Sequence, residues 1–158
     1  MTTNETSNLG RGVADRPRQY STFSVDNLFF GIEVLKVQEL LRYLDMTRVP
    51  LAPDVIEGLI NLRGQIVTAV DMRRRLGLKK RLPDETPMNI VVRSDDGAVS
   101  LLVDEIGDVL EVGSDSYEPV PESVPQAHRE LILGVHKLEG RMLLVLDTER
   151  VLQTNVAA

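Results

Sequence analysis

Apolar and polar residues alternate along most of this chain with the period of a half-buried strand. Gln19 to Val25 opens the alternation, Asp26-Asn27 is a turn pair, and Leu28-Phe-Phe-Gly-Ile32 resumes it, which predicts a hairpin. Val34, Val37, Leu41 and Leu44 follow helical spacing instead. The pattern there predicts a short helix at 34–38 and then a strand, ended by Pro50 and Pro53. Asp54-Val-Ile-Glu57 is at most one helical turn, with Gly58 as its stop. Apolar runs at 59–62 and 65–70 flank Arg63-Gly64 and predict a second hairpin. Asp71 then reads as the N-cap of a short helix through Leu76, with Gly77 closing it.

After a polar loop from Lys79 to Pro87 the plan returns. Met88 to Arg93 and Val99 to Val103 flank a Ser-Asp-Asp-Gly turn at 94–97. An apolar linker follows at 104–112, then a proline-rich loop at 119–125, a hairpin at 134–146, and a helix capped by Asp147. Residues 58–76 align without a gap on residues 134–152, an offset of 76 (134 − 58). Both copies keep two glycines (58/134 and 64/140), a leucine (62/138), an aspartate (71/147) and a closing leucine (76/152). A weaker match at an offset of 72 (109 − 37) sets Val37 to Leu40 over Val109 to Val112, and Val34 over Ile106. Two copies are too few for a solenoid. A pair of small, intertwined β-barrels is the expected architecture, because closure removes exposed sheet edges. The residue before the second glycine differs between copies, Arg63 against Glu139. A tight turn explains the glycine but not the arginine.

Composition narrows the function. The chain has 158 residues, 42% of them hydrophobic but 4% aromatic and none of them Trp, so the core is built from Val, Leu and Ile, which favour strands. Met1 to about Pro17 is polar and reads as a flexible lead-in of 18 residues; 19–154 reads as one domain and 155–158 as a tail. A formal charge of −6 argues against a wide nucleic-acid face. There is no cysteine, hence no thiolate nucleophile or Cys-ligated metal, and no apolar run approaches a membrane span. That pattern is compatible with a cytosolic protein.

No phosphate loop, dinucleotide fingerprint or nucleophile elbow is present. His128 lies in a polar stretch and reads as solvated; His136 lies in a strand and reads as structural or exposed. Neither has a partner at ligand spacing, so no metal or cofactor is expected. Asp104, Glu105 and Asp108 form a carboxylate cluster that a small enzyme could use, but such clusters are usually solvated faces. Asp71 and Asp147 are equivalent in the repeat, which favours capping over catalysis. Arg73-Arg-Arg75 and Lys79-Lys-Arg81 could form a nucleic-acid patch, yet no aromatics are interleaved for stacking, and the run sits where cations favour a helix C-terminus. What remains is a binding module. Val34, Val37 and Leu62 are candidates for an exposed apolar surface rimmed by Arg63 and Glu39, although each would serve equally well as core.

Gly31-Ile-Glu-Val34, Val37-Gln-Glu-Leu40, Thr47-Arg-Val-Pro50, the stretch from Pro53 through Gly58-Leu-Ile-Asn-Leu-Arg-Gly64, and Val67 to Leu78 closely resemble the CheW family of bacterial chemotaxis coupling proteins. Leu102-Val-Asp104, Gly134-Val135 and Leu146-Asp147 continue the likeness, which runs from about Gln19 to Leu152. It implies a mainly β fold of two five-stranded SH3-like barrels with short connecting helices. It implies a non-enzymatic adaptor, located in the cytoplasm at membrane-associated arrays, that links the cytoplasmic tips of chemoreceptors (methyl-accepting chemotaxis proteins) to the regulatory domain of the histidine kinase CheA. Receptor binding would fall on Val37, Glu39 and Arg63, with Val34 and Leu62 beside them and the glycines 58 and 64 shaping the backbone of the site. Nucleic acid and membrane insertion are not implied. Val67-Thr-Ala-Val70 departs from the Val-Pro-Val that the family commonly has after Asn-Leu-Arg-Gly, and the lead-in is unusually long and polar. Neither touches the expected site, and both leave open a parallel array, such as one controlling surface motility. The length leaves no room for an attached response-regulator domain, which argues against the two-domain CheV form.

Overall fold

The computed structural model describes residues 17–95 and 97–153. All but Pro17 and Arg18 of the expected lead-in, the Asp96 position of the 94–97 turn, Thr154 at the end of the expected domain, and the expected tail at 155–158 lie outside the described residues.

Among the described residues eleven strands build two sheets. β1 (Arg18–Val25) and β2 (Leu28–Glu33) form the first hairpin across Asp26-Asn27, with Asp26 at φ 55. A 3-10 turn, Val34–Lys36, leads to β3 (Val37–Leu41), then β4 (Ile56–Leu62), β5 (Gln65–Asp71) and the single helical turn α1 (Met72–Arg75). The second half supplies β6 (Met88–Ser94), β7 (Gly97–Val103), β8 (Glu105–Val112), a short β9 (Tyr117–Glu118), α2 (Gln126–Arg129), β10 (Ile132–Leu138), β11 (Arg141–Leu146) and α3 (Thr148–Val151).

One sheet runs β3-β6-β7-β5-β4 and the other β8-β1-β2-β11-β10-β9. The repeat units have exchanged their first hairpins. β1–β2, from the first unit, lies between β8 and β11 of the second, while β6–β7 of the second lies between β3 and β5 of the first. Two parallel pairings sew the exchange: β2 on β11 through Phe30↔Leu144 and Gly31↔Val145, and β7 on β5 from Thr68↔Val99 to Asp71↔Leu102.

The expected mainly β fold of two SH3-like units is present, and among the described residues it departs from closed five-stranded barrels in two respects. β9 gives the second sheet a sixth strand, and neither ladder closes on itself. The first sheet comes nearly round: Thr47, past the end of β3, bridges Leu59 of β4 through N–H···O bonds of 2.9 and 2.8 Å. β3 ends at Leu41, well before the prolines expected to stop it. Leu41 pairs with Asn89, one residue inside β6, and Pro87 precedes that strand and cannot extend the ladder. Asn89 Nδ2 instead donates to the Arg42 carbonyl at 3.0 Å.

Alternation sorts the side chains into three apolar layers. Phe23, Val25, Phe30 and Ile32 of one sheet meet Val70, Ile90, Val92, Leu101 and Val103 of the other, with Met72, Leu76, Leu131 and Val151 added by the helical turns. The opposite face of the second sheet buries Tyr20, Val112, Leu143 and Val145. That of the first buries Ile60, Ala69 and Leu102, and then Leu62, Val67 and Val91.

Gly58 does not stop a helical turn. It stands inside β4 at a register shift, and a Cβ there would lie 2.7 Å from the Thr47 carbonyl oxygen. Gly134 occupies the equivalent shift in β10, where a Cβ would run into the Tyr117 ring. The repeated glycine is a place where another part of the chain passes close.

Candidate partner-binding site

The site begins at the tip of the β4–β5 hairpin. Arg63 and Gly64 both have positive φ, 54 and 86. That is the two-residue turn whose twist suits a hairpin, and it normally takes Asn, Asp or Gly at its first central position. Left-handed backbone costs an ordinary L-residue roughly 1–2 kcal/mol. The turn is held by Asn61, whose Oδ1 accepts from the Gly64 N–H at 2.9 Å. In the twin hairpin Gly140 has φ 82 while Glu139 keeps a negative φ, so the two turns differ in backbone as well as in charge.

Arg63 does not reach into solvent alone. Its Nη1 donates to Glu39 Oε2 at 2.6 Å and its Nη2 to Glu39 Oε1, a two-pronged pair. Glu39 sits on β3, the edge strand facing this hairpin tip, so the pair spans the open seam of the first sheet. Hydrogen bonding from Arg63 holds the Glu39 carboxyl below its usual range, and Glu39 in turn raises Arg63. The side chain of Arg63 is 73% exposed and that of Glu39 18%. The arginine therefore keeps an open face while its charge is matched.

The apolar candidates divide. Val37 is half-buried and packs on the layer between the sheets. Val34 is half-buried in the 3-10 turn, beside the exposed Leu35. Val34 and Leu35 form one wall of a hollow of about 580 Å³ that also takes in Glu111 and the Arg18–Glu33 ion pair; Val37, Glu39 and Arg63 are not in its lining. Leu62 is corrected: it is 9% exposed and packs on Val67 and Val91 inside the first sheet. Alternation along β4 turns Asn61 outward and Leu62 inward. Sequence reasoning missed Leu40 on β3 and Ile66 on β5, both exposed apolar side chains, next to Glu39 and just past the Arg63 turn respectively. The available signal was the same strand alternation, read for its outward face.

Both aspartates cap their helical turns. Asp71 accepts from the Arg73 N–H at 3.0 Å and Asp147 from the Arg150 N–H at 3.2 Å. The basic run is turned inward. Arg73 and Arg81 bond Asp104, Arg74 bonds the Asp54 carbonyl, and Arg75 donates to the Val151 and Arg150 carbonyls at the end of α3. Lys79 and Lys80 are left exposed, too little for the nucleic-acid patch considered above. In the carboxylate cluster Asp104 is neutralised by its arginines, while Glu105 and Asp108 face solvent.

His128 is not solvated; its Nε2 lies 3.0 Å from the Leu76 carbonyl oxygen at the end of α1. His136 is buried between Tyr20 Oη at 3.3 Å and Ser116 Oγ at 2.8 Å, and burial lowers its pKa. Among the described residues no group of three or more His, Cys, Asp or Glu is placed to hold a metal ion, and no helix is long and apolar enough to cross a membrane.

Residues 19–156 match the family model described as a CheW-like domain. The chain is 33% identical over 141 residues to the chemotaxis protein CheW of Klebsiella aerogenes, covering 89% of this chain and 85% of that one. It is 30% identical to CheW of Rhizobium meliloti, covering 92% and 94%. The solved scaffolding protein TtCheW of Thermoanaerobacter tengcongensis superposes with a TM-score of 0.80 at 27% identity, over 88% of this chain and 94% of that one. On these matches the chain belongs to the CheW-like family of chemotaxis proteins.

Proposed function

We propose that this chain is the adaptor of a chemosensory array, binding the cytoplasmic tip of a chemoreceptor on one surface and the regulatory domain of a CheA-like histidine kinase on another. The observation that carries the reading is the Arg63–Glu39 pair: an arginine in a costly backbone conformation, charge-matched yet largely exposed, with exposed Leu40 one residue after Glu39 and exposed Ile66 three residues after Arg63. Backbone strain of that kind concentrates at functional positions. A receptor tip is a helical hairpin, and a helix docks through anchors along one face. Val37, Leu40 and Ile66 supply apolar contact, and the open edge of the Arg63 guanidinium supplies hydrogen-bond donors for the helix's acceptors. Leu62 supports the turn from below.

The adaptor acts by binding and no bond is made or broken. Its influence on the kinase is a coupling of binding free energies between its two partner surfaces. It works in the cytoplasm, at the membrane-associated array, because its two partners meet there. The test is reconstitution with receptor cytoplasmic fragments and the kinase. Kinase activity that depends on this protein, and falls when Arg63 is replaced by Glu in a folded variant, supports the reading. Unchanged capture of receptor fragments by that variant removes the site assignment.

A further inference from the structure

The chain passes from one sheet to the other twice. β2 leads to β3 through Val34–Lys36, and β7 leads to β8 through the single residue Asp104. The two crossings are built differently. At the first, the 3-10 turn has no side-chain cap and no buried residue, and an exposed bond of 3.0 Å runs from Arg93 Nη1 to the Leu35 carbonyl. At the second, the Asp104 carboxylate gathers bonds from the β1–β2 turn of one sheet and, on the side of the other, from α1 and the loop that follow β5. The Asp26 N–H, in the β1–β2 turn, donates to Oδ2 at 2.7 Å, and the Asp104 N–H donates to the Ser24 carbonyl at 3.0 Å. From the other side, Arg73 donates through Nε at 2.9 Å and Nη2 at 2.7 Å, and Arg81 through Nε at 3.1 Å. Arg81 Nη1 continues to Asp71 Oδ1, at the end of β5, at 3.3 Å. The Arg73, Arg81 and Asp104 side chains are 13%, 10% and 18% exposed. The repeat does not account for this residue, since the offset of 72 (104 − 32) sets Ile32 at its place in the first unit.

We propose that Asp104 is the positioning residue that fixes the angle of one sheet on the other, leaving relative movement to the Val34–Lys36 crossing beside the receptor site. The apolar layer between the sheets opposes their separation but is non-directional. Hydrogen bonds from two planar guanidiniums and a backbone amide to one carboxylate are directional and resist rotation. The consequence for receptor binding rests on the adaptor reading; the pin itself does not.

The chain has no cysteine, so Gln65→Cys in β5 and Glu111→Cys in β8, both exposed, place spin labels on opposite sheets. Pulsed dipolar distances are measured on the folded full chain. The parent should give a narrow distribution. Asp104→Asn, which keeps the shape and removes the charge, should widen and shift it. Arg81→Gln, which leaves the Arg73 fork in place, should widen it less. Ile132→Val, a change within the layer between the sheets that spares the network, should leave it unchanged. An Asp104→Asn distribution like the parent's overturns the proposal. So does equal widening in Ile132→Val, because the effect would then follow lost stability. If Asp104→Asn does not fold, Arg81→Gln carries the same two outcomes. Capture of receptor fragments is read separately, on unlabelled protein with Gln65 and Glu111 in place, because Gln65 lies between Arg63 and Ile66. A widened distribution with unimpaired capture overturns the link to the receptor site, whereas a parent that captures no fragment overturns the adaptor reading and not the pin.

Discussion

Arg63, at the tip of one hairpin, closes on both carboxylate oxygens of Glu39 on the facing edge strand, 24 residues away in sequence. The pair raises one question about binding: whether Arg63 meets the partner itself or Glu39 merely needs neutralising. Exchanging the charges, Arg63→Glu with Glu39→Arg, separates the two. Arg63→Ala should weaken capture of receptor fragments about tenfold or more, as truncating a central interface arginine does. The exchanged pair should restore the native melting temperature and fail to restore capture. Calorimetric titration of both variants checks this, and full recovery in the exchanged pair would show that the arginine only balances charge.

Gly58 and Gly64 should respond to alanine for different reasons. At Gly58 the new Cβ meets the Thr47 carbonyl oxygen at 2.7 Å. The Thr47–Leu59 bridge has to shift, at a cost of about 1–3 kcal/mol. At Gly64 there is open space around the Cβ but φ is 86. The cost is then the backbone preference alone, about 1–2 kcal/mol. Urea unfolding gives both values. Amide exchange at Thr47 and Leu59 should rise in Gly58→Ala and stay unchanged in Gly64→Ala.

Acid should find Asp104. Burial alone would raise its carboxyl, but hydrogen bonds from Arg73, the Asp26 amide and Arg81 outweigh burial and hold it below the usual carboxylate value. A depressed carboxylate contributes stability that is complete above its unfolded pKa and is lost as pH falls through the lower folded one. Asp104→Asn should therefore reduce stability at neutral pH and flatten the acid limb below about pH 4, the ordinary carboxylate range. Denaturant unfolding as a function of pH measures both. An acid limb of unchanged slope would contradict the assignment.

His136 gives a second, separate limb. Burial lowers its pKa below the ordinary value near 6.5. The unfolded chain then takes up a proton that the folded chain refuses, so stability falls as pH drops from about 6.5 towards the lower folded value. Replacing His136 by Ile, the residue its repeat partner Ile60 carries, should abolish this limb. It should also cost about 1–3 kcal/mol at neutral pH, because buried Tyr20 Oη loses its partner and Ser116 Oγ one of its own.

The hairpins were legible because two signals coincide in each: period-two alternation, and turn residues such as Asp26-Asn27 and Arg63-Gly64. The two capping aspartates were legible from the repeat, since equivalent positions take equivalent local roles. Leu62 was misplaced because Leu59-Ile-Asn-Leu62 is apolar on both faces, and periodicity alone does not say which face is buried. Gly58 was misread because its neighbour Thr47 belongs to a segment eleven residues earlier whose path no local pattern reveals. The basic run was ambiguous for the same reason: its carboxylate, Asp104, lies 31 residues beyond Arg73. A repeat states which segments correspond. It does not state which segments pair, and so the exchange of hairpins was beyond its reach.

That exchange bears on where such a chain came from. A solitary unit, one hairpin, a linker strand and a second hairpin, would leave its first hairpin without the neighbours it has here. Two separate copies could satisfy each other by trading hairpins, in the manner of a domain-swapped dimer. The present chain has that arrangement within one polypeptide. In a fused chain the two halves need not stay identical, and here one carries Arg63 at a turn where the other holds Glu139.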